Sequence, residues 1–446
     1  MPGILVYIIY NLLLPVVLLL GMPSFLIKGW KRGGLARNFK QRFGWFSAET
    51  LGRFKGNRPI WIHAVSVGEV IVALKVIEAL HAKAPDQKLI LSTTTTTGFK
   101  VASEQQNDLL TVIHNPVDLP LVTDRVIRLI NPKQLILIEA EIWPNLVGQL
   151  KRRGVPVRLI NARLSQRSQE RYLRFRPLIK PIFSLISSVT VPFEFDIDRW
   201  ASLGIERDRI KLLGSVKFDN AAPASEQQRI EELKNWLSDS GLPHGSRILL
   251  AGSTHDGEEK LIAQTAAQLK KSIPNLELII VPRHAERAPE ISTQLIEAGF
   301  SPIFKNKFNR VGSGTQQGRV NDRSPTQRVW IANTTGELRA WYHLAEVVVI
   351  GKSFCGKGGQ NPVEPILIGK PTIVGPNMQN FSEVVADLMS EDGIIQSHDE
   401  GSLLAALESI LSNPGESRAM AERGAKAMER HLGAANRTAD HILAQS

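Results

Sequence analysis

Cysteine is almost absent: Cys355 is the only one in 446 residues. This excludes an internal disulfide and agrees with a reducing compartment. The chain also has no zinc-type Cys/His spacing, no Walker loop and no Gly-x-Gly-x-x-Gly, so neither a zinc module nor the commonest phosphate-loop folds can be read from it. An Asp-x-Asp at Asp196-Ile-Asp198 stands before a helical stretch and reads as a cap rather than a metal site. No catalytic metal and no cofactor is expected. Acid is missing from the start of the chain, where the first carboxylate is Glu49.

What is present is globular: 43% hydrophobic and 22% charged residues. The length is too great for one ordinary core and predicts two domains of roughly 200 residues each. A formal charge of +11 and a pI near 9.7 call for an anionic partner. Residues 4–22 are almost wholly apolar, broken by Asn11 and Pro15, and long enough to span a bilayer core. No basic residue precedes this run and no small-residue cleavage site closes it, so it reads as a membrane anchor rather than a cleaved signal. Lys28, Lys31, Arg32, Arg37, Lys40 and Arg42 follow, which puts the bulk of the protein on the cytoplasmic side, against anionic lipid. A helix lying in the interface is the alternative to a spanning one. No nucleic-acid-binding module is recognisable, and nucleic acid is not an expected partner. The oligomeric state is not legible.

After the anchor (1–26) and a basic linker (27–57), short apolar runs alternate with helical stretches, the pattern of a parallel, doubly wound sheet. One series fills 58–216 and a second fills 217–430, with the linker near 216–224 and a cleft expected between the domains. A helix in 431–446 is expected to pack back on the first domain. Residues 305–328, rich in Gly, Ser, Gln and Arg, read as a long surface loop. Residues 166–180 mix five basic residues with apolar ones. Such a face suits a phosphorylated amphiphile, or is a solvated face over a core stripe.

Open α/β sheets bind ligands outside the carboxyl ends of their strands, and several such ends carry chemistry. Trp61-Ile-His-Ala-Val-Ser-Val-Gly-Glu delivers Glu69 to a helix start, as a base or as a first-turn charge complementing the helix dipole. Glu139-Ala-Glu-Ile-Trp-Pro-Asn delivers Glu139 and Glu141, as a catalytic pair or as caps behind Pro144. In the second domain Ser253 and Thr254 offer amides and hydroxyls for a phosphate, Arg283 and His284 leave the next strand, and Asn361 and Glu364 open a helix after a Gly-rich turn. Three such exits in one domain predict a nucleotide site.

Taken in order, segments 61–69, 139–145, 161–168, 214–219, 253–259, 282–284 and 358–365 resemble the bacterial Kdo transferases, which move 3-deoxy-D-manno-oct-2-ulosonic acid from CMP-Kdo to the lipid A precursor. The likeness spans nearly the whole chain. It implies a GT-B fold of two Rossmann-like domains with an N-terminal anchor helix at the bacterial inner membrane. CMP-Kdo would sit on the second domain and the lipid acceptor on the first. By motif, Glu69 looks like the general base and Glu139 its companion acid. Arg283, Gly336, Asn361 and Glu364 look like CMP contacts, with Ser253, Thr254, His284 and Lys217 available to the leaving phosphate. The family pattern has His where Gln360 stands and usually Asn where Ser215 stands. A transferase using a UDP-sugar on a lipid acceptor, and a non-catalytic nucleotide-binding protein, are the rivals.

Overall fold

The computed structural model describes residues 2–31, 38–56, 58–219, 225–306 and 327–444. Arg32 and Arg37 of the basic stretch, the 220–224 part of the expected linker and most of the 305–328 loop lie outside the described residues. The chain divides into two compact units, Met1–Asp219 with Arg430–Ser446, and Asn220–Glu429.

The first unit is built on a seven-stranded sheet: β1 (Ile60–Ala64), β2 (Leu89–Thr93), β3 (Leu110–His114), β4 (Gln134–Ile138), β5 (Val157–Ile160), β6 (Ser188–Val191) and β7 (Ile210–Leu212). The order is β3-β2-β1-β4-β5-β6-β7, and every pair is parallel. All residues of β1 to β6 are buried, as the near-continuous apolar runs of a sheet covered on both faces require. Strand order reverses between β1 and β4, and the segments carrying Glu69 and Glu139 leave these two strands.

The second unit repeats the plan with β8 (Arg247–Thr254), β9 (Leu276–Pro282), β10 (Phe300–Phe304), β11 (Gln327–Ile331), β12 (Val347–Ile350), β13 (Thr372–Val374) and β14 (Ile395–Gln396). Its order is β10-β11-β9-β8-β12-β13-β14, again parallel throughout. The reversal falls between β8 and β12. Their exits carry Ser253 and the Gly-rich turn.

The domain boundary sits three residues later than the sequence pattern placed it. Lys75 Nζ donates to the carbonyls of Val216, Lys217 and Asp219 (3.3, 3.4 and 2.9 Å), tying that turn, and Lys217 with it, to the first unit. At the other end of the chain the Ala434–Leu443 helix sets Ala434, Ala435, Ala439 and Ile442 into the first unit's core. The buried Arg158 of β5 donates to the carbonyls of His441 and Ile442 (2.8 and 3.2 Å) and so caps that helix.

The apolar run folds as one helix, Pro2–Lys31. Among the described residues no helix is long and apolar enough to cross a membrane. Ile8, Leu12, Leu13, Val16, Val17, Leu19 and Leu20 are all at least 51% exposed. The other side of the helix is tied down. Tyr7 donates to the Pro144 carbonyl (3.1 Å), Tyr10 to Asp118 (2.9 Å), and Asn11 and Asn145 exchange amide hydrogen bonds (2.8 and 3.0 Å).

Candidate active site

After β1 the chain turns at Ser66 into the Val67–Lys83 helix. Ser66 caps this helix, and the Glu69 carboxylate folds back to accept from Ser66 Oγ (2.9 Å) and the Val65 amide (2.8 Å). The Ser66 hydroxyl in turn accepts from the Glu69 amide (3.4 Å), so Glu69 takes part in the start of the helix with both its backbone and its side chain. Each carboxylate oxygen keeps a second lone pair. Glu69 is buried, and burial pushes its pKa up to about 7. The two hydrogen bonds oppose that rise, and the charges of Glu139 and Glu141 add to it.

Glu139 follows β4 with φ +63°, a left-handed backbone that costs a β-carbon on the order of 1 kcal/mol. Its amide is held by the Ile160 carbonyl (3.0 Å). Asn161, at the neighbouring exit of β5, is also left-handed, at φ +49°. Its Oδ1 accepts from the Val216 amide (3.1 Å) and Ser215 Oγ (3.4 Å), so serine keeps a polar contact at the position where the family pattern has Asn. The turn held in this way carries Lys217. Burial lowers the Lys217 pKa, as does Arg163, while Glu139 raises it. Lys217, expected among the nucleotide contacts, is thus an electrostatic neighbour of Glu139 in the first unit.

Two supports of this centre were not singled out in the sequence. Trp143 Nε1 donates to His63 Nε2 (3.2 Å), so Nε2 is the acceptor and the proton sits on Nδ1, which donates to the Ser92 carbonyl (3.1 Å). Burial lowers the His63 pKa to about 4, so this neutral tautomer persists at physiological pH and anchors the Glu139–Trp143 loop to β1 and β2. The second support is Asp118. It accepts from the amides of Asn145 and Leu146 (2.9 and 2.8 Å), at the start of the Pro144–Arg152 helix, and from Tyr10. The only sequence signal for either was a polar residue in an apolar run.

Asp118→Ala strands all three donors and is expected to cost about 2–4 kcal/mol of stability, read by urea unfolding. Burial raises the Asp118 pKa to about 6 from 3.8, so its native form binds the proton more tightly than its unfolded form. The parent's stability therefore has an Asp118 component that falls from about pH 4 to about pH 6 and is level above. Asp118→Asn is expected to lack that component; an unchanged slope in this window would contradict the assignment.

In the second unit β8 ends in a bulge between Gly252 and Thr254, with Ser253 at φ +58°. The bulge turns Thr254 inward. Its hydroxyl donates to the buried Glu259 (2.9 Å), which also pairs with Arg287 (2.8 Å). Thr254, expected to offer its hydroxyl to a phosphate, is committed inside the unit instead. Gly351, after β12, is the point of closest approach: a β-carbon there would lie 2.3 Å from the Ser253 carbonyl oxygen.

Glu258 organises this end of the sheet. Fully buried, it accepts from the amides of His255 (2.9 Å), Lys352 (2.6 Å), Ser353 (2.9 Å), Phe354 (2.9 Å) and, at 3.4 Å, Cys355. Arg283 and His284 are exposed beside them, and the His255 and His284 rings meet edge-on at 5.8 Å. Gly336 has φ +79° and accepts from Arg229 through its carbonyl (2.6 Å). Asn361 accepts from the Val363 amide (3.1 Å) and donates to Glu364 (3.3 Å). The helix they open, Val363–Leu367, is only five residues long, with Pro362 as its N-cap. Asp196 and Asp198 pair with Arg199 and Arg207.

A family model described as 3-deoxy-D-manno-octulosonic-acid transferase (kdotransferase) matches residues 37–220. A probable mitochondrial 3-deoxy-D-manno-octulosonic acid transferase of Arabidopsis thaliana is 30% identical over 382 residues, 82% of this chain and 81% of that protein. The chain belongs to the Kdo transferase family. The Haemophilus influenzae 3-deoxy-D-manno-octulosonic acid transferase is 29% identical over 402 residues, 90% of this chain and 89% of its own. Among solved structures, UDP-GlcNAc 2-epimerase from Neisseria meningitidis bound to UDP-GlcNAc superposes with a TM-score of 0.55 at 13% identity. It covers 87% of this chain and 100% of its own, and shares the GT-B-like fold. This Kdo transferase is thus a glycosyltransferase built from two parallel seven-stranded sheets.

Proposed function

We propose that this Kdo transferase moves Kdo from CMP-Kdo to the lipid A precursor with inversion, using Glu69 as base. The observation that carries the reading is a carboxylate at the strand-order reversal of the first sheet with its pKa raised to about 7, poised to take a proton at physiological pH. The acceptor hydroxyl gives its proton to Glu69, and its oxygen forms a bond to the anomeric carbon of Kdo. The bond from that carbon to the CMP phosphate breaks, and its electron pair leaves on the phosphate. Glu139 repels the charge on Glu69 and so helps keep its basicity high. Arg283, His284 and Ser253, with Asn361, Glu364 and the Gly336 turn, are the donor-side groups; Lys217 belongs to the acceptor unit, in the field of Glu139. The exposed apolar side of the N-terminal helix supports attachment to a membrane, on this reading the cytoplasmic face of the inner membrane, where the acceptor is concentrated.

The test is incubation with labelled CMP-Kdo and tetra-acylated lipid A precursor, with the added sugars counted by mass. CMP, and not UDP, is expected to compete. No transfer, or competition by UDP alone, rejects the reading. Transfer is also expected to follow Glu69 ionisation: the rate for acceptor rises with pH through about 7, levels above it, and at pH 5.5 stands on the order of 30-fold below the plateau. A flat profile between pH 5.5 and 8 would remove Glu69 from the base role.

A further inference from the structure

From Arg163 to Phe193 the chain holds six basic residues and one acid, Glu170. A basic face that serves only for solubility usually interleaves the two signs. In the Gln166–Arg174 helix, Arg167, Arg171 and Arg174 recur at the i, i+4, i+7 spacing that puts them on one side. All three are exposed. With Ser168 and Glu170 they line a cavity of about 540 Å³, and among the described residues none of the three forms an ion pair with a carboxylate. Even after Glu170 is counted, two positive charges are left over.

Apolar surface surrounds this cluster. Leu173, Phe175 and Leu178 are 39%, 54% and 36% exposed. The following helix, Arg176–Phe183, lies against the N-terminal helix with its outward row of leucines and valines. Guanidinium forks beside an apolar face match a phosphate carried by an amphiphile rather than a soluble anion. The cluster is also tied to the reaction centre. On the same helix Tyr172 packs edge-on against Phe183 at 5.7 Å and lies in the field of Glu141, two residues from Glu139.

We propose that Arg167, Arg171 and Arg174 form a binding site for a phosphate monoester on the acceptor glycolipid, holding it while its hydroxyl meets Glu69. The site rests on the reading that the first unit takes a phosphorylated lipid acceptor. It adds which side chains recognise that acceptor and by which group. Phosphate on the acceptor, rather than the headgroups of bulk phospholipid, is the occupant, because the arginines share their helix with Tyr172 and so with the Glu139–Trp143 loop.

The test compares the full-length enzyme with the triple variant R167Q/R171Q/R174Q, whose substituted side chains are exposed and whose melting temperature is expected to be unchanged. With tetra-acylated, phosphorylated lipid A precursor, KM for acceptor is expected to rise at least tenfold, with KM for CMP-Kdo and kcat at saturating acceptor retained. With the same precursor after phosphatase treatment, parent and variant are expected to be alike. Equal KM values on the phosphorylated acceptor overturn the site. So does a variant that loses binding to acceptor-free phosphatidylglycerol vesicles while keeping its acceptor KM, since that assigns the arginines to bulk lipid. Retention of the precursor by enzyme in neutral detergent decides the matter without turnover: retention by the parent alone supports the site, and equal retention overturns it. Failure of the parent to transfer Kdo at all would reject the proposed reaction and leave this binding result to stand by itself.

Discussion

Glu69→Gln is expected to slow Kdo transfer by about 10²–10⁴-fold and, at pH 8, to make the protein more stable. The two effects share one cause. Burial raises the Glu69 pKa from 4.5 to about 7, so the native state holds this proton more tightly than the unfolded chain does. As pH rises from about 4.5 to about 7 the unfolded chain ionises first, and the parent loses stability over that window and no further above it. A neutral glutamine does not pay the desolvation cost, still accepts from the Val65 amide and can donate to Ser66 Oγ. The expected gain at pH 8 is about 1–3 kcal/mol, vanishing near pH 4.5. Urea unfolding at pH 4.5 and 8, beside single-turnover transfer, measures both. A variant slower but no more stable at pH 8 would mean that Glu69 is not held under strain. One with full activity would end its role as base.

The second large effect belongs to Glu258. Glu258→Ala is expected to cost about 3–5 kcal/mol of the second unit's stability and to abolish binding of CMP, whereas Glu69→Gln keeps it. The reason is arithmetic on donors: the carboxylate satisfies the amide of His255 and those of residues 352–355, and alanine leaves them facing one another with no acceptor. Glu258→Gln is expected to be nearly as damaging, because its amide nitrogen would turn one donor toward other donors. Hydrogen exchange at residues 352–355, with titration of CMP by calorimetry, reads the outcome. Unchanged protection there would show that the loop is held by something else.

Most strands were legible because a parallel sheet buries both faces and writes its strands as apolar runs. Three were not, for separate reasons. β10 contains Pro302, which a ladder tolerates at an edge, and β10 is one of the two edge strands of its sheet. β14 is two residues long. β6, Ser188-Val-Thr-Val, is too short and too polar to stand out. At the site, Glu69 and Glu139 were visible because strand exits are local in sequence. Glu258 was not, because its partners at 352–355 lie nearly a hundred residues away. The inward turn of the Thr254 hydroxyl onto Glu259 was not legible, because alternation along a strand says nothing of the bulge at Ser253. Lys217 was placed in the second domain because the chain near 216 becomes polar before it leaves the first unit. The bonds from Lys75 that hold this turn cross more than a hundred residues.

The first unit uses both ends of the chain, and this sets the order in which the protein can be completed on the ribosome. When Asp219 has emerged, β1 to β7 are all available, yet the groove that receives Ala434, Ala439 and Ile442 is still empty and its apolar walls still wet. The whole of the second unit must be made before Arg158 can find the carbonyls of His441 and Ile442. The half that is translated second is therefore finished first, and the half bearing Glu69 is sealed only by the Ala434–Leu443 helix. A chain released just after Glu429 is expected to hold a closed second unit and an open first one.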